Sequence, residues 1–180
     1  MRFYYTDTEL KGLLKNMVIL IDTREQENSH ILAYLDKQKV TYESRKLGFG
    51  DYSFMLPANE KLGIIRDTYF DNQITIERKA SLEELSSNLT QDRQRFESEL
   101  IRASKAKLLL MIENACYGDI IGHRYQTQYE PKAFIAALKT YEIRYGISIN
   151  FVAAALSGNF IYYTFLYCLR EYLKGGGGDR

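Results

Sequence analysis

Four side chains in this sequence have the type and placement to do chemistry together: Asp22, Asp51, Glu77 and Lys79. Asp22 closes the apolar run Met17 to Ile21, which has the pattern of a strand buried on both faces. Asp51 follows Gly50 and opens a strand through Leu56, and Glu77 and Lys79 lie near the end of another, Ile74 to Lys79. Residues two apart on a strand project to the same face, so Glu77 and Lys79 share one face and Arg78 takes the other. If the strands opening at Asp51 and Ile74 are antiparallel neighbours, the start of the first lies beside the end of the second, and Asp51 meets Glu77 and Lys79. Asp22 joins the same edge, because ligand sites in α/β sheets lie beyond the carboxyl ends of strands.

Three gathered carboxylates repel one another and call for a cation. Oxygen ligands with no His or Cys nearby favour Mg²⁺ or Mn²⁺ over Zn²⁺. Such an ion lowers the pKa of a water and offsets charge on a phosphate oxygen. Lys79 would orient or polarise that water and stabilise the developing phosphorane charge. The chemistry expected of the set is phosphodiester hydrolysis. Each piece alone is ordinary: Glu-Arg-Lys is a common surface tripeptide, Gly-Asp a common turn, and a strand-terminal Asp often only caps a helix. The specificity lies in their combination, in this order on these elements.

The elements that must position these residues follow from pattern. Capping-box spacings at Thr6/Glu9 and Ser81/Glu84 start helices over Asp7 to Asn16 and from Leu82. Further helices are predicted for Asn28 to Lys37, Asp92 to Lys105, Pro131 to Tyr145 and Asn159 to Lys174. Val40 to Leu47, Leu108 to Ile112 and Ser148 to Val152 read as strands, and residues 57–72 as a loop or small hairpin extension. Buried strands alternating with helices give an α/β fold whose mixed sheet is covered on both faces, with its antiparallel part between Val40 and Lys79. Three segments are expected: a helical extension over residues 1–16, a catalytic domain over 17–174, and a flexible Gly-rich tail over 175–180.

Composition bounds the remainder. The chain has 180 residues, 46% hydrophobic and 26% charged, as in one ordinary globular domain. Its net charge of +1 excludes a globally basic protein, so any contact with nucleic acid must come from local patches. Cys116 and Cys168 lie far apart, form no metal-ligand pair, and read as reduced core thiols. The first residues lack the apolar core of a signal peptide, and the apolar stretch Phe160 to Leu173 is too short and polar to span a membrane. A cytoplasmic location is the default expectation.

The sequence resembles the nuclease domain of the XPF family of structure-specific endonucleases. The pieces that carry the resemblance are Asp22-Thr-Arg-Glu25, Gly50-Asp51-Tyr52, Ile76-Glu-Arg-Lys79, Leu82-Glu-Glu-Leu85, Asp92-Arg-Gln-Arg-Phe96 and the strand Leu108 to Glu113. The likeness extends over Met17 to Lys174 and is strongest up to Asn114. It implies a three-layer α/β/α restriction-endonuclease-like fold with a central mixed sheet. It also implies that Asp22, Asp51 and Glu77 bind Mg²⁺ or Mn²⁺, that Lys79 and Arg78 belong with them to the catalytic set, and that Arg24, Glu25 and Arg95 match family positions with supporting or DNA-binding roles. Where the family usually has Asp four residues after the Lys, Glu83 stands here. The implied activity is an endonuclease on branched, flapped or forked DNA. Family members usually carry a tandem helix-hairpin-helix domain after the nuclease domain and none is read here, so a second copy or a partner protein is expected to supply DNA binding.

Other residues keep two readings open. Arg93, Arg95, Arg102, Lys105 and Lys107 suit phosphate contacts, but Asp92, Glu97 and Glu99 interleave with them, as on a solvated helix with i,i+4 pairs. Arg24 either touches DNA or pairs with an active-site carboxylate. His30 and His123 read as surface residues rather than ligands. Phe160, Tyr163 and Tyr167 share one face of the last helix and Ile161, Phe165 and Leu169 another, so one face is core and the other is an interface or more core. A junction resolvase or restriction-type nuclease, and a non-catalytic scaffold of the same fold, are the competing functions. The intact Asp22, Asp51, Glu77 and Lys79 set favours an enzyme.

Overall fold

The computed structural model describes residues 4–176. Its strands are β1 (Val18–Ile21), β2 (Thr41–Ser44), β3 (Tyr52–Leu56), β4 (Thr68–Tyr69), β5 (Ile74–Lys79), β6 (Lys107–Glu113) and β7 (Ser148–Val152). Its helices are α1 (Asp7–Lys15), α2 (Ser29–Gln38), α3 (Leu82–Leu89), α4 (Arg93–Arg102), α5 (Tyr117–Ile121), α6 (Pro131–Tyr145) and α7 (Ala154–Glu171). The sheet order is β2-β1-β3-β5-β6-β7, with β4 attached to β3. Strands β1 and β2 are parallel, β3 runs antiparallel to both β1 and β5, and β5, β6 and β7 are parallel. Because β1 takes one edge of β3, strands β4 and β5 divide the other: β5 meets β3 only at Tyr52↔Ile76, and β4 takes over at Met55 and Leu56.

Strand parity sorts the core into two layers. Leu109 and Met111 of β6 and Ile74 and Ile76 of β5 face α1, α2 and α7, where Leu13, Ile31, Leu35, Ile161, Phe165 and Leu169 are fully covered. Leu108, Leu110 and Ile112 face the opposite way, onto Leu85, Phe96, Phe134 and Leu138 of α3, α4 and α6. Helices on both faces of a mixed sheet give the three-layer α/β/α arrangement. On the second face Val18 and Leu20 of β1 and Met55 of β3 pack instead with Leu47, from the loop after β2.

Some expectations need correction. The antiparallel part of the sheet does not begin at Val40, because β2 lies parallel to β1 as an exposed edge strand. The α2 connection between them makes an ordinary parallel crossover. The last helix begins at Ala154, not near Asn159. Ser157 and Gly158 are weak helix formers, yet a Cβ at Gly158 would stand 2.6 Å from Tyr34 Cβ, so the glycine is what lets α2 and α7 approach. Helix α5 was not read from the sequence. It spans five residues, too few to show a period. Cys116 is exposed and Cys168 only half-buried, so neither is a core thiol. The segment over 57–72 is a small hairpin extension that ends in β4. Most of the Gly-rich tail lies outside the described residues; Gly175, in the left-handed region at φ 83, follows the last helical turns. No described helix is long and apolar enough to cross a membrane.

Candidate active site

Gly50 sets the geometry. Its φ is +71, and a Cβ there would stand 2.7 Å from Thr75 Cβ. Only glycine combines that backbone with so close an approach. The turn delivers Asp51 to β5: the Asp51 amide donates to the Ile76 carbonyl at 2.9 Å, and Asp51 Oδ2 accepts from the Arg78 amide at 2.8 Å. Gly50→Ala is expected to cost about 2 kcal/mol of stability through strain and overlap. Urea unfolding checks this, and an unchanged midpoint would contradict it.

Parity on β5 then splits the two catalytic candidates from Arg78. Glu77 and Lys79 face α3 and α4, and Lys79 Nζ donates to Glu77 Oε1 at 2.7 Å. The ammonium also lies 3.4 Å from Glu84 Oε1 and 5.4 Å from the centroid of the Phe96 ring. The second oxygen of Glu77 is buried and has no hydrogen-bond partner. Burial, followed by the charges of Glu99 and Glu84, raises the Glu77 pKa against the opposing pull of Lys79. Asp51 is pushed well above the usual carboxylate range, first by burial and then by the charge of Glu77, with the Arg78 amide and Lys79 opposing. Burial works against the Lys79 charge, but Glu77 and Glu84 outweigh it and hold the pKa above the ordinary lysine value.

Arg78 points to the other face. It bonds Glu25 Oε1 at 2.9 Å and Glu113 Oε2 at 2.8 Å, and His30 Nε2 lies 2.8 Å from the remaining Glu113 oxygen. Burial works against the Glu113 charge, but the Arg78 guanidinium and its other donors hold the carboxyl down to about 2. Being ionised, Glu113 accepts from His30. This buried chain fixes Glu25 at the rim of the site. His30 is thus half-buried and engaged, contrary to its reading as a surface residue, while His123 is exposed and lies 3.0 Å from the Thr127 carbonyl. Sequence reasoning gave Glu113 no role, although it ends a buried apolar strand just as Asp22 does.

These groups line a cavity of about 280 Å³. Six acidic residues line it, Glu25, Asp51, Glu77, Glu84, Asp92 and Glu99, together with the basic Arg24, Arg78, Lys79 and Arg95. Two expected members stand apart. Asp22 is buried behind Arg24: its Oδ1 accepts from Arg24 Nε at 2.6 Å and from the Arg24 amide at 2.9 Å, and its Oδ2 accepts from the Leu47 amide at 2.7 Å. Burial alone would raise the Asp22 pKa, but these donors outweigh it and lower it. Glu83 turns away and accepts from the Gln126 amide at 2.9 Å, which lowers its pKa. Glu84 takes its place at this wall, a residue the spacing from Lys79 did not select. Glu99 was likewise read only as part of a solvated helix. Among the described residues, no three His, Cys, Asp or Glu side chains stand close enough to form a complete metal cage.

Comparisons with known proteins bear on the fold and the family. The ERCC4 domain matches residues 21–164. XPF from Aeropyrum pernix has a similar fold, with a TM-score of 0.52 at 17% identity over 91% of this chain and 62% of the other. The same protein in complex with DNA aligns with a TM-score of 0.59 at 17% identity, over 86% of this chain and 66% of the other. The chain thus spans somewhat under two thirds of the length of these solved proteins. No curated protein sequence matches it. With the domain match running from the end of β1 to the middle of α7, through every strand that carries a candidate site residue, the chain belongs to the ERCC4 domain family.

Proposed function

We propose that this chain is a Mg²⁺- or Mn²⁺-dependent DNA endonuclease that hydrolyses phosphodiester bonds in branched, flapped or forked DNA. The observation that carries the reading is the Glu77 carboxylate, buried beside Asp51 with one oxygen on Lys79 and the other without a partner. An unpartnered buried oxygen is costly, and a second carboxylate that resists ionisation beside it adds to the cost. A hard divalent cation relieves both, and an all-oxygen donor set suits Mg²⁺ or Mn²⁺. Asp51 and Glu77 would hold it, with Asp22 as the third ligand once its oxygen is free.

When bound, such an ion supplies Lewis acidity toward a phosphate oxygen and a water. The chain's own residues do the remainder. Lys79 keeps its proton because its pKa is raised, so it serves as a fixed hydrogen-bond donor to developing negative charge and not as a general base. Arg24 and Arg95 at the rim position the phosphate backbone without reading sequence. Arg78 bridges Glu25 and Glu113 and keeps Glu25 in place. A similar structure is a complex with DNA, which favours DNA as the polymer.

The test is cleavage of labelled flaps, forks, four-way junctions and linear duplex with Mg²⁺ or Mn²⁺ at one salt concentration, because phosphate contacts are salt-dependent. Faster cleavage of branched substrates is expected. No cleavage with either ion overturns the enzyme reading, and equal rates on fork and duplex overturn the branched substrate.

A second copy or a partner is proposed to extend the DNA contact. Tyr163 and Tyr167 of α7 remain 44% and 55% exposed, unlike Ile161 and Phe165 beside them, and such aromatic surface suits an interface. Sedimentation at micromolar concentration is expected to show a dimer; a monomer alone would refute the homodimer.

A further inference from the structure

We propose that Arg24 is an exchangeable counter-ion: in the metal-free protein it occupies Asp22, and it must give up that carboxylate before a divalent cation can share it, turning then to a DNA phosphate. The inference rests on the metal site proposed above. Three hydrogen bonds hold the oxygens of Asp22, two on Oδ1 and one on Oδ2, and two of the three come from backbone amides, those of Arg24 and Leu47. The third, from Arg24 Nε at 2.6 Å, is the only one that a side-chain rotation can release. The Arg24 side chain is 55% exposed while that of Asp22 is fully covered. Arg24 lines the cavity and Asp22 does not. The guanidinium therefore stands between the carboxylate and the place where a cation would sit beside Asp51 and Glu77.

The chemistry of arginine suits this exchange. Its Nε holds Asp22, and its terminal nitrogens are bonded to no described residue, so the fork that grips phosphate bidentately remains available. A guanidinium and a divalent cation repel each other at a shared oxygen, and a phosphate arriving at the rim offers the guanidinium another anion. By linkage, metal and DNA must then strengthen each other's binding by the same factor. Without DNA the cavity resists loading with metal.

Mn²⁺ binding to the full chain without DNA, followed by calorimetry at fixed pH and salt, tests the exchange apart from catalysis. Removing one partly exposed ion pair predicts that Arg24→Met binds Mn²⁺ about three- to fivefold more tightly than wild type. Arg95→Met removes the same charge from the cavity wall without touching Asp22, and is expected to change the affinity by less than about twofold. In an Asp22→Asn background, Arg24→Met should have no effect, as a double-mutant cycle requires of a direct coupling. Equal tightening by Arg95→Met, persistence of the Arg24 effect without the Asp22 carboxylate, or unchanged or weaker binding in Arg24→Met would each overturn the exchange. Arg24→Gln must repeat the pattern, and replaces the methionine variant if that one fails to fold. Asp51→Asn separates the two readings. If it abolishes Mn²⁺ binding while Arg24→Met leaves it unchanged, only the exchange falls; if it binds Mn²⁺ as wild type does, the metal site itself is misplaced.

Discussion

Asp51→Asn will raise the melting temperature of the metal-free protein at neutral pH and remove the proposed cleavage activity. Burial and the nearby Glu77 push the Asp51 pKa well above its ordinary value, so the folded state holds a proton that the unfolded chain releases near pH 3.9, about the free-carboxyl value. The destabilisation is absent below that pH, grows as pH rises toward the folded pKa, and is fully present above it. The amide variant keeps the shape and removes the charge. Its stabilisation should reach about 1 kcal/mol at neutral pH, about 2–4 °C for a chain of this size, and vanish near pH 4. Divalent metal acts in the opposite sense. Millimolar Mg²⁺ adds about 1–3 kcal/mol to wild type if its Kd lies between about ten micromolar and a few hundred micromolar, and little to the variant. Cleavage falls on the order of a thousandfold, since several kcal/mol of charge stabilisation at the phosphate depends on a correctly held cation. Melts of both proteins in EDTA and in Mg²⁺, beside a cleavage assay, decide the matter. An equal Mg²⁺ shift in the two proteins would place the metal elsewhere.

Lys79→Met will also abolish cleavage, and unlike the Asp51 variant it will destabilise the fold. Lys79 is 7% exposed and Glu77 4%. Removing the ammonium strands a buried carboxylate that already lacks a partner on its other oxygen. Breaking one side of a buried pair costs about 3–5 kcal/mol, and the low end applies because Glu77 can take up a proton. The loss should therefore be largest at pH 8. It should shrink as pH falls toward about 4.3, the ordinary glutamate value, where the unfolded chain binds the same proton. Urea titrations at pH 8 and pH 5 measure this. A loss of stability independent of pH would mean that Glu77 is not the group left exposed to the change.

The legible part of the site was the part that depends on strand parity. Glu77 and Lys79 on one face, Arg78 on the other, and Asp51 beside them follow from a two-residue period and one antiparallel pairing, and the structure has all three placements. The sheet with helices on both faces was legible for a similar reason, because Met17 to Ile21 and Leu108 to Ile112 are apolar at every position. What stayed hidden depends on side-chain direction at the ends of elements. The retreat of Asp22 behind Arg24 is set by the rotamer of a residue only two positions away, while the turn of Glu83 to Gln126 and the clasp of Glu113 on Arg78 are set by neighbours distant in sequence. Likewise β2 has too few buried residues to announce its direction, and Gly158, which reads as a weak helix former, sits inside α7 where Tyr34 of α2 leaves no room for a Cβ.

The narrow contact between β3 and β5 has a mechanical consequence. The sheet is in effect two plates, β2-β1-β3-β4 and β5-β6-β7, joined at Tyr52↔Ile76, by the hydrogen bonds of Asp51 on one side of that pair, and by Ser53 Oγ donating to the Ile74 carbonyl at 2.8 Å on the other. The groups that would hold the cation sit on opposite plates, Asp22 and Asp51 on one and Glu77 on the other. A bridging ion would act as a rivet across the joint. Amide exchange at Asp51 and Arg78 should be the fastest among the strand-to-strand bonds of the metal-free protein, and should slow sharply on addition of Mg²⁺, while amides inside β6, flanked on both edges, stay unchanged.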